Sequence, residues 1–307
     1  MNILITGGAG FIGSHIAERF HATDSVTVLD NFRSGFRHNL DGFRVRLVEG
    51  SVTDRALVSD LLRGVDYVFH LAALVSVPES MEKPGETVAI NVQGTLNILE
   101  AARAHGVKKV VISSSAAIYG NNPTVPKIET MLPEPRSPYA ITKLDDEYYG
   151  RMFTEDFGTP VVALRYFNVF GPRQNPRSQY AAAVPIFIDR CLKGEDLIIY
   201  GDGEQTRDFV YVKDIVAANA LAASSAATGV YNIACGKSMS INTLAATLQS
   251  LTASASCITH AGERAGDVKH SLAATDRATR ILGFTPGFTV EQGLAETIAW
   301  MRTRAGR

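Results

Sequence analysis

The sequence predicts an α/β chain: a doubly wound parallel sheet followed by a smaller α/β C-terminal lobe. Two patterns predict it. As far as about residue 165, short apolar, β-branched runs alternate with longer amphipathic segments, as repeated βαβ units require. The first of these runs leads directly into Thr6-Gly7-Gly8-Ala9-Gly10-Phe11-Ile12-Gly13, a glycine-rich passage from strand to helix.

In chain order, the expected strands are Asn2–Thr6, Val26–Asp30, Val45–Val48, Tyr67–His70, Lys109–Ser113 and Val161–Leu164. Pro84–His105 is the clearest helix, with proline near its start and Val88, Val92, Leu96 and Leu99 at helical spacing. Gly106 ends it. After Gly171 the alternation loosens into loops, an Ala-rich helix around Asp214–Ala223, a strand near Tyr231–Ala234 and an isolated terminal helix near Val290–Arg304. The expected division is 1–170 and 171–307, with some exchange of chain between the two lobes.

Composition narrows the function. The 307 residues make about two domains' worth at roughly 150 each, and 46% hydrophobic with 20% charged residues is ordinary for a globular chain. With 30 Lys+Arg against 31 Asp+Glu, the net charge of -1 provides no field to hold nucleic acid or an anionic membrane. An anionic ligand must be met locally. Cys191, Cys235 and Cys257 are far apart and no pair has metal-ligand spacing, so neither a disulfide framework nor a metal site is expected. No apolar stretch approaches the roughly 18 residues of a membrane span. The N-terminal run reads as a strand rather than a secretory leader, and the expectation is a soluble protein of a reducing compartment, the cytoplasm.

Glycines at 7, 10 and 13 would let the backbone turn tightly, approach a pyrophosphate and pack helix on strand. A turn without a ligand is the alternative for such a motif taken alone. The second strand ends at Asp30, whose carboxylate can accept both hydroxyls of an adenosine ribose and would repel a 2′-phosphate, favouring NAD over NADP. The nearby Arg33 argues the other way unless it is a solvated loop residue.

Tyr139 and Lys143 lie four apart on a segment that opens as a helix, with Ser137 as cap and Pro138 at the first position, so both side chains share one face. The spacing alone also fits a surface pair. A free tyrosine titrates near pH 10, so general-base work near neutrality needs about three units of lowering, roughly 4 kcal/mol. A lysine ammonium and a positively charged nicotinamide could together supply it. Ser113-Ser114-Ser115 would put a hydroxyl at the carboxyl end of the sheet, although serines after strands also serve as turn formers.

At this point the sequence resembles the extended short-chain dehydrogenase/reductases with their Rossmann fold, and within them the nucleotide-sugar 4-epimerases. The resemblance spans essentially the whole chain. It is carried by the glycine loop, His70-Leu71-Ala72-Ala73, Asn91, Ser113 to Gly120, Ser137-Pro138-Tyr139-x-x-x-Lys143, Leu164 to Gly171, Gly201-Asp202-Gly203-x-x-x-Arg207-Asp208-Phe209 and Arg264-Ala265-Gly266-Asp267.

The resemblance implies that residues 1–170 bind NAD and 171–307 bind substrate. Tyr139 matches the catalytic base, Lys143 the residue that lowers its pKa and holds the nicotinamide ribose, and Ser115 the hydroxyl at the sugar's 4-oxygen. Around the cofactor it implies Gly7, Gly10, Phe11, Ile12, Gly13, Asp30 and Asn31; beyond them come Ser51, Val52, Leu71, Ala72 and Ala73, then Asn91, Ser113 and Tyr166. For the UDP-sugar it implies Ser76, Asn168, Gln174, Ala182 and Tyr200, with Arg207 and Arg264 on the diphosphate and Asp267 and Ser271 close by. Two guanidiniums bind a diphosphate without a basic surface. The implied chemistry is oxidation at sugar carbon 4 with hydride passing to NAD, rotation of the keto sugar, and return of hydride to its other face. A homodimer through the helices around Pro84–His105 and Ser137–Phe157 is also implied.

Within the epimerases, Arg264 to Ala273, Arg173-Gln174-Asn175-Pro176 and Tyr180 to Ala183 are most similar to UDP-N-acetylglucosamine 4-epimerases. The position matched by Ser271 is bulky in enzymes restricted to UDP-glucose, and serine leaves space for an N-acetyl group. Two departures stand out. Gly50-Ser51 replaces the Gly-Asp that meets adenine in many relatives, which weakens that contact or shifts it to the nearby Asp54, and Val75 replaces a lysine of some UDP-galactose 4-epimerases. Ser115-Ala116-Ala117 lacks the Asp-Glu pair that dehydratases need. A UDP-glucuronate 4-epimerase, another nucleotide-sugar-modifying relative, and a dinucleotide-binding sensor without turnover are the rival readings.

Overall fold

The computed structural model of the protein describes residues 1–176, 183–263 and 268–305. At its centre lies a seven-stranded sheet in which every neighbour runs parallel. Strands β1 (Asn2–Thr6), β2 (Ser25–Asp30), β3 (Val45–Glu49), β4 (Tyr67–His70), β5 (Lys109–Ser115) and β6 (Val161–Tyr166) coincide with the six apolar runs. The order across the sheet is β3-β2-β1-β4-β5-β6, and the strand Gly229–Ile233 closes the β6 side. The expected strand near Tyr231 therefore exists, but it completes the large sheet instead of building the second lobe.

Helices cover both faces, which is why the strands read as continuous apolar runs. Ile3 and Ile5 face one layer with Ile16, Ala17 and Phe20 of helix α1 (Phe11–Phe20), while Leu4 faces the other with Leu61, Ile98 and Phe153. The first layer also takes Ile215, Ala218 and Ala222 from the helix Val212–Ser224, together with Leu282 and Phe284. Chain from beyond residue 170 is thus part of the large core. A second cluster holds the smaller α/β lobe, built on the helices Ala183–Lys193, Ile241–Thr252 and Val290–Ala305 and the parallel strands Leu197–Tyr200 and Ile258–Ala261. The terminal helix is not isolated, because Leu294, Ile298 and Met301 are buried in that cluster.

Helical structure runs from Pro84 to His105 as expected, with one interruption: Ala89–Gln93 forms a π-turn between Pro84–Val88 and Gly94–His105. Such turns insert one residue and gather at functional sites. Asn91 sits in this one, fully buried. Its amide donates to Leu74 O at 3.1 Å and Thr142 Oγ1 at 2.9 Å, and its carbonyl accepts from Leu74 N at 2.7 Å. The turn therefore ties the loop after β4 to the helix Pro138–Glu155. Among the described residues, no helix is long and apolar enough to cross a membrane.

Candidate active site

The strand order reverses between β1 and β4, and open α/β sheets bind ligands in the crevice at the carboxyl ends beside such a switch. The glycine loop leaves β1 there, facing the loop that leaves β4. Gly7 has φ +68°, and a Cβ on it would lie 2.8 Å from Ala72 N. A Cβ on Gly13 would lie 2.3 Å from Gly7 O, so α1 can start against the strand only with glycine at that place. Thr6 fixes the opposite wall, accepting from Leu71 N through its carbonyl at 3.1 Å and from Ala72 N through its hydroxyl at 3.2 Å.

Asp30 ends β2 with both carboxylate oxygens engaged, accepting from Ala9 N at 2.9 Å and Phe32 N at 2.8 Å. Burial pushes its pKa up, against those two bonds. Each oxygen keeps further lone pairs for a ribose hydroxyl. Asn31 is exposed beside it and accepts from Arg33 N at 3.1 Å. Arg33 is not a free loop cation, since its guanidinium bridges to Glu79 at 2.8 Å and to Glu86. That engagement answers the argument for a 2′-phosphate drawn from Arg33. Ser51 is partly buried with its hydroxyl 2.8 Å from that of Thr53, Val52 is buried, and Asp54 caps the helix Arg55–Leu61 by accepting from Leu57 N at 3.0 Å.

The helix Pro138–Glu155 begins as the sequence predicts: Ser137 accepts from Ala140 N at 3.2 Å and proline occupies the first turn. Tyr139 is half-buried, its N–H donating to Ser80 Oγ at 3.2 Å. Lys143 is 2% exposed, and its positive charge acts on the imidazole of His70, at the end of β4. His70 is wholly buried, its ring nitrogens 2.7 Å from Thr6 Oγ1 and 3.0 Å from Thr95 Oγ1. Burial, reinforced by Lys143, pushes its pKa down to about 3 and keeps the ring neutral.

Ser115 ends β5 beside Tyr166 of β6 and accepts from Ala117 N at 3.1 Å, which leaves its hydroxyl proton able to donate elsewhere. Ser113 is partly buried nearby on β5. Tyr166 is a core residue whose hydroxyl exchanges hydrogen bonds with Asn219 at 3.0 and 2.8 Å. Burial raises its pKa. Tyr166 and Asn91 both have their polar ends taken up internally, so what each offers the crevice is placement. Ser76 likewise caps the helix Val77–Glu82, accepting from Glu79 N at 3.2 Å.

Asn168 donates through its side chain to Asp208 O at 3.3 Å, and Gln174 donates to Val169 O at 3.2 Å while its side-chain carbonyl oxygen is buried without a partner. Ser271 is half-buried, its N–H on Thr206 O at 3.0 Å. Arg207 follows Thr206 on that same short strand. Tyr200, Asp202, Gln205, Glu263 and Lys269 line a cleft of about 120 Å³ beside it. Ala182, Arg264 and Asp267 lie outside the described residues.

Comparison with known proteins agrees with the resemblance carried by the motifs. Residues 3–234 match the family described as the NAD dependent epimerase/dehydratase family. The chain belongs to the NAD dependent epimerase/dehydratase family. Its fold overlays the UDP-N-acetylglucosamine 4-epimerase of Methanobrevibacter ruminantium, solved in complex with UDP-N-acetylmuramic acid, with TM-score 0.96, 43% identity and coverage of 99% and 98% of the two chains. The UDP-glucose 4-epimerase of Thermotoga maritima with UDP-glucose gives TM-score 0.96 at 40% identity, covering 99% and 100%. That of Thermus thermophilus, in complex with NAD, gives 0.91 at 36%, covering 98% and 99%.

In this epimerase/dehydratase the crevice fits the dinucleotide on its own geometry: a left-handed glycine, a loop with no room for a Cβ at position 7 or 13, and a buried carboxylate at the end of β2. Two acidic residues of the site region have no role in the sequence reading. Asp208 is fully buried and accepts from Cys235 N at 2.8 Å, Gly236 N at 3.0 Å and Ala273 N at 3.2 Å, joining the three segments around Arg207 and Ser271. Burial still pushes its pKa up to about 6. The other is Asp146, bonded to Lys143. Its position at i+3 from the lysine and i+7 from the tyrosine was the available signal, since such residues share a helix face.

Proposed function

We propose that the chain interconverts the 4-epimers of UDP-hexoses, taking UDP-N-acetylglucosamine and UDP-N-acetylgalactosamine as well as UDP-glucose and UDP-galactose. The observation that carries this reading is a glycine-walled dinucleotide crevice at the sheet's switch point whose β4 loop is tied through Asn91 to the helix bearing Tyr139 and the buried Lys143. Gly7, Gly10, Gly13 and Asp30 hold NAD there, and when bound NAD supplies the acceptor and later the donor of the hydride at sugar carbon 4. Tyr139 takes the proton of the sugar 4-hydroxyl, and Lys143 stabilises the phenolate needed for that step. Ser115 donates to the 4-oxygen and keeps it oriented. Once the sugar has turned, Tyr139 returns its proton to that oxygen, so the protein ends the cycle in its starting state.

Arg207 and Arg264 grip the diphosphate, which leaves the sugar loose enough to rotate. Ser271 is the gate for the N-acetyl group. Ser271→Tyr is expected to lower kcat/KM for UDP-N-acetylglucosamine about tenfold more than for UDP-glucose; equal losses would remove Ser271 from that role. The function itself is tested by assaying UDP-glucose, UDP-N-acetylglucosamine and UDP-glucuronate side by side, following product sugars and the absorbance of reduced nicotinamide. Appearance of 4-epimers with transient reduction supports the proposal, whereas bound NAD with no product from any of the three would replace it with a sensor.

We further propose that the enzyme acts in the cytoplasm, where its three free cysteines stay reduced, as a homodimer. Val88, Ile141 and Tyr148 are each about half exposed on the helices Pro84–Val88 and Pro138–Glu155, and would be covered by a second copy.

A further inference from the structure

We infer that Asp146 is a positioning residue for the site: a buried counter-charge that holds the Lys143 ammonium and sets how strongly that cation acts on the Tyr139 phenol. The inference rests on the reading of Tyr139 and Lys143 as the base and its cation. Tyr139, Lys143 and Asp146 follow one another at steps of four and three along one helix, which stacks them on one face. Lys143 Nζ donates to Asp146 Oδ2 at 3.2 Å, with both side chains nearly or wholly removed from solvent. The second carboxylate oxygen, Oδ1, is buried without a hydrogen bond of ordinary geometry, with the Thr95 hydroxyl nearby. A carboxylate left half-satisfied inside a protein is costly, so an acid at this place is not explained by packing alone.

Apart from burial itself, Lys143 is the largest influence on that charge. On its own helix Asp146 meets Lys143, which favours the carboxylate, and Asp145, which opposes it. The helix Gly94–His105 contributes only the hydroxyl of Thr95, and His70 on β4 is a neutral ring. Glu147, next along the helix, is fully engaged with Arg165 of β6 and Ser114 of β5. Burial pushes the Asp146 pKa up, to about 6, while the Lys143 ammonium favours its carboxylate form. While ionised, it offsets part of the lysine's field at the phenol oxygen. Once neutral, by protonation or substitution, it leaves the whole ammonium to favour the phenolate.

The sign of the effect follows. In the full-length protein with NAD bound, Asp146→Asn is expected to move the phenolate absorption titration of Tyr139, identified by its loss in Tyr139→Phe, about one pH unit toward acid, a roughly tenfold change in the ionisation constant. The acid limb of the pH profile of kcat should move with it, with KM for the UDP-sugar within about twofold of wild type. A folded Asp146→Asn protein whose phenolate titration is unmoved overturns the inference. Should that variant not fold, the Asp146 carboxyl carbon is followed by NMR in wild type and in Lys143→Met. Loss of the cation should raise its titration by at least about one unit, and an unchanged midpoint overturns the inference. Neither titration requires turnover, so absence of epimerisation in the wild type would sink the proposed function while leaving the role of Asp146 still measurable.

Discussion

Replacing Tyr139 with phenylalanine is expected to lower kcat for 4-epimerisation by about 10³-fold, within the range that a positioned general base contributes, while leaving the fold and the bound NAD in place. The ring remains, and the anchor of this residue is its backbone N–H on Ser80, which the substitution does not touch. The atom removed is the one proposed to accept the sugar proton. Product formation measured alongside circular dichroism and cofactor content separates the two effects. Turnover within about tenfold of wild type in a folded, NAD-loaded Tyr139→Phe protein would refute its role as the base.

Gly13→Ala is expected to remove about 3 kcal/mol of stability and to abolish retention of NAD through purification. The added carbon would meet Gly7 O at 2.3 Å and Gly8 Cα at 2.7 Å. Both obstacles are backbone, so no side chain can swing aside, and the loop must move away from the place a pyrophosphate would occupy. Gly85→Ala is the control, because a Cβ there has open space around it and should change stability little. Denaturant unfolding of the two variants, with cofactor absorbance read on the same preparations, makes the comparison. Equal stability and equal cofactor content would show that the close approach of α1 to its strand does not matter.

The central sheet was legible because a parallel strand covered on both faces must be apolar at nearly every position, and β6, buried at all six residues, is the extreme case. Asn2–Thr6 and Tyr67–His70 are the very strands observed, and the other four runs differ only at their ends. Short-range spacing also found Ser137, Pro138, Tyr139 and Lys143, because caps and i,i+4 pairs are local. What stayed hidden was long-range. The π-turn at Ala89–Gln93 depends on Asn91 bridging to Leu74 and Thr142, and neither partner is signalled by helical periodicity. The membership of Gly229–Ile233 in the large sheet is a matter of pairing with β6, which composition does not encode. The engagement of Arg33 by Glu79 and Glu86 joins residues 46 and 53 positions apart. In each instance the deciding contact lies across the fold.

The closing strand Gly229–Ile233 bears on how the protein can be divided. A fragment stopped at Phe170 would leave the N–H and C=O groups along one side of β6 unpaired, and would strip Ile215, Ala218, Ala222, Tyr231 and Phe284 from the layer over Val162 and Leu164. The dinucleotide half is consequently no portable module. Its last strand is translated only after residues 171–228, so the nascent chain can complete the supporting sheet of the cofactor crevice only once the first part of the downstream lobe has been made.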